Sequence, residues 1–403
     1  MVSKFREFQG GVEAHLRDLM GGLTELGHQV ELFSSEDVPG NGGFSTEAGG
    51  FGSKARSVAS LFWNSSARKS LAKAIEGFEP DLVHYHSIYH QLSPSVLGVS
   101  RVPTVMTLHD YKLVAPCYSL YRDSRICTDC VGLRFPLPAI LNRCVKQSAV
   151  ASAVCSSEQV FYKNRYLESV DRFIVPSAYL QGMLIESGVP ADQMAVVPWG
   201  VPADSLRGDS AEASEHQDSR FLLYAGRLHE SKGLRHLLEA WSALEVKGGY
   251  RLLVVGGGPL ESEVKAASSA DSTIEYMGLV NRDRLLDLIA MSTATVMPSI
   301  VPETMGLAAL ESLVRGIPVV LTGSGALSEL AGAGVIEVDP ETLVTSLRET
   351  FSKIVSDPTF LRMQRSELAK RDLSMYTQAA MVGRVMEVYE ATMRSCTNSA
   401  IGA

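Results

Sequence analysis

The chain has 403 residues, of which 45% are hydrophobic and 20% charged, and carries a formal net charge of -8. That length excludes a small disulfide scaffold and points to two domains of roughly 100 to 200 residues. The apolar fraction supports sizeable cores and excludes wholesale disorder, while an acidic chain has no general attraction for nucleic acid.

The opening residues Val2 to Phe5 read as the tail of a strand, followed by a Gly10-Gly11 turn and a helix from about Val12 to Leu26. Val12, Leu16, Leu19, Leu23 and Leu26 recur at helical spacing, and Gly27 stands as a C-cap before a strand over Val30 to Phe33. This is the start of a βαβ unit. The first strand is short for the centre of a parallel sheet, so either a shortened strand is tolerated or the natural start lies upstream of Met1. Residues 36–56, rich in Gly, Ser and Glu, read as a mobile surface loop.

Strands are expected at Leu82 to Tyr85, Thr104 to Leu108, Arg172 to Val175 and Met194 to Val197, with helical stretches between them. Residues 202–219 offer almost nothing to bury and read as an interdomain linker. Beyond it come strand Phe221 to Tyr224, a helix from about Gly233 to Leu244, and strands Leu252 to Val255 and Ile274 to Met277. A helix over Arg282 to Met291, strand Ala294 to Met297, a helix from about Gly306 to Arg315 and strand Pro318 to Leu321 follow. The alternation predicts an α/β protein of two doubly wound domains, 1–200 and 220–374, with residues 375–403 closing on a helix that crosses back to brace the first.

No stretch reaches the roughly 18 to 20 apolar residues of a membrane span. Met1 to Gly11 carries Lys4, Arg6 and Glu7 without an apolar core, so no signal peptide is expected and a cytoplasmic location follows.

The most specific motif is PETMGLAALESLVRGIPVV, residues 302–320. Glu303 precedes a helix starting near Met305-Gly306, and Glu311 stands about one turn inside it, so two carboxylates flank one helix N-terminus. Unpaired N–H groups there suit a phosphate, and carboxylates suit sugar hydroxyls. The plainer alternative is a capping acid and a solvated glutamate. In FLLYAGRLHESKGL a strand ends at Ala225-Gly226 and places Arg227 and Lys232 at the carboxyl edge of the sheet, where cations would neutralise a diphosphate; a surface basic pair is the alternative. LLVVGGGPL, with Gly256, permits close backbone approach but lacks the GxGxxG order of a dinucleotide fingerprint. Strand Thr104 to Leu108 ends in His109-Asp110, placed to bond a ligand or to serve as a buried structural pair.

Together GGVEAHLRDLMGGLTELGHQVELFS, EPDLVHYHS, TLHD, DRFIVPSAY, AGRLHESKGL, VVGGGPL and PETMGLAALE resemble, in order and over nearly the whole chain, the retaining glycosyltransferases of family 4. The resemblance implies the GT-B fold, two Rossmann-like domains facing across a cleft. It implies that Glu303 contacts the donor sugar's hydroxyls, that Glu311 holds the nucleotide ribose, and that Arg227 and Lys232 bind the donor diphosphate. It further implies that His109 faces the transferred sugar, that the Gly10-Gly11 turn lies near diphosphate and acceptor, and that Gly306 and Leu307 approach the donor by backbone. No cofactor and no catalytic metal is expected, in keeping with the absence of an Asp-x-Asp motif. The donor is a UDP- or GDP-sugar, UDP slightly favoured, and the acceptor a glycan or lipid-linked glycan.

Cys117, Cys127, Cys130 and Cys144 resemble the cysteine cluster of a subset of this family. They could bind zinc, although the subset's Cys-Pro reads Ala115-Pro116 here; free thiols or a redox pair are the alternatives. Phe135, Leu137, Ile140 and Leu141 beside Arg134, Arg143 and Lys146 could rest on the inner face of a membrane or form an ordinary packed helix. Two other functions fit the architecture: a nucleotide-sugar epimerase, and a non-catalytic sugar-binding protein.

Overall fold

The computed structural model describes residues 1–6, 10–39, 62–89, 91–202 and 220–401. Most of the expected loop at 36–56 and nearly all of the expected linker at 202–219 lie outside them. The chain falls into two compact units: Met1–Leu120, Cys127–Gly200 and Gln378–Ala403 form one, and Tyr121–Ile126 with Val201–Thr377 the other.

In the first unit, α1 (Gly11–Glu25) buries Ala14, His15, Leu16, Leu19 and Leu23 along one stripe, the consequence of apolar residues at helical spacing. It ends before Gly27, which takes the left-handed conformation (φ 88°). The next helix, α2 (Ser65–Phe78), is capped by Asn64 Oδ1, which accepts from Ala67 N–H at 3.0 Å. Strands β1 (Val83–Tyr85) and β2 (Thr104–Thr107) follow. A two-stranded hairpin, β3 (Tyr121–Arg122) and β4 (Arg125–Ile126), belongs to the second unit and was not apparent in the sequence. Then come α3 (Leu137–Leu141), α4 (Ala149–Ser169), β5 (Arg172–Val175), α5 (Ala178–Glu186) and β6 (Met194–Val196).

The four strands form a parallel sheet in the order β1-β2-β5-β6. The strand expected over Val2 to Phe5 pairs only at Val2, which bridges Phe33 on one side and Tyr85 on the other. Likewise the strand expected over Val30 to Phe33 reduces to Phe33. The cause is the shortness of its partner: Phe33 N–H reaches Met1 C=O and Ser3 N–H reaches Phe33 C=O, and these few residues leave no longer ladder to build.

The second unit holds β7 (Phe221–Ala225), α6 (Leu234–Ser242), β8 (Arg251–Val255), α7 (Glu261–Ala270), β9 (Ile274–Gly278), α8 (Arg282–Met291), β10 (Ala294–Met297), α9 (Leu307–Val314), β11 (Val319–Thr322), β12 (Val335–Val338), α10 (Leu343–Ser356) and α11 (Pro358–Lys370). Its six strands are parallel and ordered β12-β11-β10-β7-β8-β9, the Rossmann order 3-2-1-4-5-6 read from the other edge. Alternate residues serve opposite faces. Leu222, Tyr224, Leu252 and Val254 meet Trp241 of α6 and Phe351 of α10, while Phe221, Leu223, Leu253 and Val255 meet Leu288 and Ile289 of α8. Burial on both faces explains why these strands read as continuous apolar runs.

The last helix, α12 (Gln378–Ile401), packs within the first unit. Met381, Val382, Val385 and Tyr389 share a core with Leu19 and Leu23 of α1 and Val105 of β2, and Gln378 Nε2 donates to Asp18 C=O at 2.6 Å. The fold is thus α/β with two Rossmann-like halves.

Candidate functional site

In the second unit β7 and β10 lie side by side, and the chain winds outward from them in opposite directions. Open α/β sheets bind ligands at the carboxyl ends of such a pair, because neither following loop crosses over the other. The residues there are Gly226 to Lys232 after β7 and Pro298 to Gly306 after β10.

The two loops are locked together by backbone. Ile300 N–H donates to Ser231 C=O at 2.9 Å, and Val301 N–H to the same oxygen at 3.2 Å. Gly233, the residue before α6, has φ 70°, and a Cβ there would stand 1.9 Å from Pro298 C=O. Only glycine permits this approach. The turn after β7 is fixed by Tyr224 Oη donating to Arg227 C=O at 2.8 Å.

Upon this frame sit the charged groups. Lys232 Nζ lies 2.6 Å from Glu303 Oε1, and Ser299 Oγ donates to the same oxygen at 2.6 Å. The Glu303 backbone is held as well: its N–H reaches Ser324 C=O at 3.3 Å and its C=O accepts from Ala326 N–H at 2.8 Å. Thr322 Oγ1 to Ser299 C=O at 2.5 Å and Ser324 Oγ to Ile300 C=O at 3.1 Å tie the end of β11 to the same loop. Arg227 is exposed. Burial first, then the charge of Arg227, with Lys232 adding, hold the His229 imidazole below its ordinary value against the pull of Glu230. Lys232 and Glu303 thus meet across the two loops, and Arg227 stands exposed just beyond the end of β7.

Gly306 (φ 82°) is the N-cap of α9, and Leu307 opens the helix with no side-chain cap. Glu311 lies one turn inside, but it is neither solvated nor open. It is 3% exposed, and its Oε1 lies 3.1 Å from Arg282 Nη2 of α8, itself buried. Sequence reading missed both Arg282 and Ser299. Arg282 opens a helix whose capping residue, Asn281, gave the only local signal. Gly256 (φ 141°) is required by its own chain: a Cβ there would stand 1.9 Å from Gly226 C=O. The glycine turn after β8 thus packs against the turn after β7, with Leu228 N–H donating to Gly257 C=O at 2.9 Å.

In the first unit the ends of β1 and β2 bring histidines together. His86 Nδ1 and His109 Nε2 are 3.0 Å apart, and His84 reaches Tyr389 Oη at 2.6 Å and Thr107 Oγ1 at 2.7 Å. His15 of α1 stacks on Trp199, ring centroids 5.1 Å apart. Donor nitrogens of His15, His86 and His109 lie within 4.8 Å of one another, a grouping able to hold a borderline-soft metal ion. Burial holds His15 down to about 3 and His84, His86 and His109 well below the ordinary histidine value. Burial also pushes Asp110 up to about 6, against the Lys112 backbone N–H and the charges of Lys112 and Lys4. Gly10 is the N-cap of α1 in extended conformation, and among the described residues a Cβ there would meet only Glu13 Oε2, at 3.8 Å.

Cys130 is buried in the core of this unit, with Cys117 and Cys144 packed against the same core. Burial pushes its thiol up to about 11, opposed by the Ala139 backbone N–H, and the neighbouring Cys117, Cys144 and Cys127 add to the rise.

Residues 9–205 match the family model described as Glycosyltransferase Family 4, and residues 208–372 that described as Glycosyl transferases group 1. Between them the two models span residues 9–372, and the chain is a glycosyltransferase of the GT-B fold. It is 21% identical over 409 residues to an uncharacterised glycosyltransferase of Methanocaldococcus jannaschii, covering 95% of each. Sucrose-phosphate synthase of Thermosynechococcus elongatus shares the fold with a TM-score of 0.71 at 18% identity, over 96% of this chain and 94% of that one. Anabaena HepE, solved in complex with UDP, does so with a TM-score of 0.63 at 15% identity, over 97% and 98%. The chain spans only 46% to 64% of the length of four further curated relatives, named for D-rhamnosyl, glucosyl, mannosyl and N-acetylglucosamine transfer.

Proposed function

We propose that the chain moves a hexose-type sugar, with retention of configuration and without a catalytic metal, from a nucleoside diphosphate sugar to a glycan or lipid-linked acceptor in cell-envelope polysaccharide synthesis. The observation that carries this reading is the Lys232–Glu303 pair joining the loops at the carboxyl ends of β7 and β10, with Arg227 exposed in the first of those loops and α9 opening without a side-chain cap beyond the second. Two cations and free N–H groups suit a diphosphate, and a carboxylate fixed by Ser299 suits sugar hydroxyls. UDP is the favoured nucleotide, supported by its presence in the Anabaena structure. The enzyme works in the cytoplasm, at the inner face of the membrane.

In the reaction the bond between C1 of the sugar and the phosphate oxygen breaks, with its electrons passing to phosphate. The acceptor oxygen bonds C1 on the same face, and its proton passes to the departing phosphate oxygen. Arg227 and Lys232 meet the charge that grows on the diphosphate, preorganised electrostatic stabilisation that needs no reorganisation during the step. Glu303 orients the sugar. We assign Gly306 and Leu307 to backbone contact with the donor, His109 to the transferred sugar, and the Gly10-Gly11 turn to the diphosphate and acceptor; Glu311, buried against Arg282, is assigned to the ribose and would hold it by giving up that partner.

Thermal shift over UDP, GDP and their sugars tests the donor, since a ligand that binds the folded state raises Tm by mass action. UDP should raise Tm. No shift with any nucleoside diphosphate would defeat the reading. Incubation of the stabilising donor alone, followed by NMR, separates transfer from epimerisation, and the anomeric configuration of the product tests retention.

A further inference from the structure

The stretch 131–157 contains Arg134, Arg143 and Lys146 but no Asp or Glu, in a chain whose net charge is -8. All three basic residues are exposed. Within the same stretch five large apolar side chains face solvent: Leu133 at 47%, Phe135 at 46%, Leu137 at 50%, Leu141 at 71% and, in α4, Val150 at 75%. These exposures are not those of an ordinary packed helix. Ala139 of α3 is buried in the core and Pro136, its N-cap, is buried too, while Leu137 and Leu141, one turn apart on the helix, are both exposed. The segment is anchored: Cys144 N–H donates to Ala139 C=O at 3.0 Å, and Ser148 caps α4 through Ala151 N–H.

We propose that the exposed Leu133, Phe135, Leu137 and Leu141, together with the exposed Arg134, Arg143 and Lys146 of the same segment, dock on an anionic lipid bilayer. Apolar side chains at the tip of an anchored turn enter the headgroup boundary, while the adjoining cations lie at phosphate level. Charge complementarity selects this occupant. A protein surface with the prevailing acidity of this chain would meet the same cations, but exposed leucines and a phenylalanine without a preformed groove suit a deformable, apolar medium. The inference deepens the proposed membrane-face setting of the transferase and rests on that reading for its purpose. The docking itself requires no donor or acceptor.

Co-sedimentation of the full chain with phosphatidylcholine vesicles, with and without phosphatidylglycerol, tests it. Binding should be strong only when phosphatidylglycerol is present and should fall with added salt. The R134Q/R143Q/K146Q variant should lose binding by about 100-fold, roughly fivefold per charge. The L133S/F135S/L137S/L141S variant should lose roughly tenfold or more. Both should keep the wild-type Tm and the UDP-induced Tm shift. No binding, equal binding to both vesicle types, or anionic binding unchanged in both variants would overturn the proposal, as would an apolar variant whose only change is the loss of self-association. Because the Tm shift with UDP is read separately, failed docking and failed donor recognition remain distinguishable.

Discussion

Lys232 and Glu303 form an ion pair of 2.6 Å between the loops that follow two adjacent central strands, with the lysine side chain 30% and the carboxylate 14% exposed. Each neutralises the group that its proposed ligand would otherwise meet, since the lysine is assigned to diphosphate and the glutamate to sugar. Donor binding then exchanges one charge-assisted contact for two.

That exchange predicts opposite effects from one substitution. Glu303→Gln frees Lys232 from its carboxylate, so UDP alone should bind several-fold more tightly, while sugar transfer falls by about 100-fold or more as the sugar loses its orienting charge. Lys232→Met should weaken UDP by about tenfold, in line with a charge-assisted contact of about 1.5 to 3 kcal/mol. Calorimetric titration with UDP and a coupled transfer assay read the two effects. Weaker UDP binding in Glu303→Gln would show that the pair does not compete with the diphosphate.

Gly233 is where the same two loops meet most closely. Alanine there would need a left-handed backbone and would drive its Cβ into Pro298 C=O. Gly233→Ala should destabilise the second unit by on the order of 1 to 3 kcal/mol and weaken UDP binding, because Pro298 carries the loop that presents Ser299 and Glu303. Gly77→Ala in α2, where a Cβ meets nothing within 4 Å among the described residues, is the control: it should leave UDP binding unchanged and should not destabilise the protein, since alanine favours the helix by up to about 1 kcal/mol.

Arg282 and Glu311 are a buried pair, 7% and 4% exposed at their side chains. Removing one partner of such a pair strands the other charge. Arg282→Met should therefore cost about 3 to 5 kcal/mol, and Glu311→Gln a similar amount. The doubly substituted protein should recover part of the loss. Urea unfolding of the three variants measures it, and additivity of the two single effects would show that the pair is not coupled.

Much of the fold was legible because both sheets are parallel and buried on two faces, so strands such as Arg172–Val175 and Ala294–Met297 appear as apolar runs between helical periods. The hairpin Tyr121–Ile126 was not legible: its strands have two residues each and no apolar alternation. The positions of Arg227, Lys232 and Glu303 followed from strand ends, since a sheet fixes where its carboxyl edge lies. Their supports did not. Ser299 and Arg282 reach the site through packing between elements distant in sequence, and no local pattern distinguishes them from a loop serine and a surface arginine. The histidine cluster is similar: His15 lies on a helix, His86 and His109 beyond two different strands, and only the sheet register Tyr85↔Met106 brings the last two side by side.

That cluster sets the acid stability of the first unit. His15, His84, His86 and His109 are held neutral by burial, with His15 down to about 3, so the unfolded chain binds protons that the folded one refuses once pH falls below the ordinary value of about 6.5. Stability therefore drops as pH falls through that value and continues to drop toward the folded pKa. Asp110 acts in the opposite sense. Its carboxyl is pushed up to about 6 from 3.8, so between about pH 4 and 6 the folded chain holds a proton that the unfolded one has lost, and this contribution to stability grows as pH falls. Four imidazoles oppose one carboxyl, so the unfolded chain takes up more protons than the folded one and stability falls as pH falls below the ordinary imidazole value. Tm should accordingly fall steeply from pH 7 to pH 5. His84→Gln should make that decline shallower by one proton, and Asp110→Asn should make it steeper in the window from 4 to 6. A Tm that stays level between pH 7 and 5 would mean that the imidazoles titrate alike in folded and unfolded chains, against their burial.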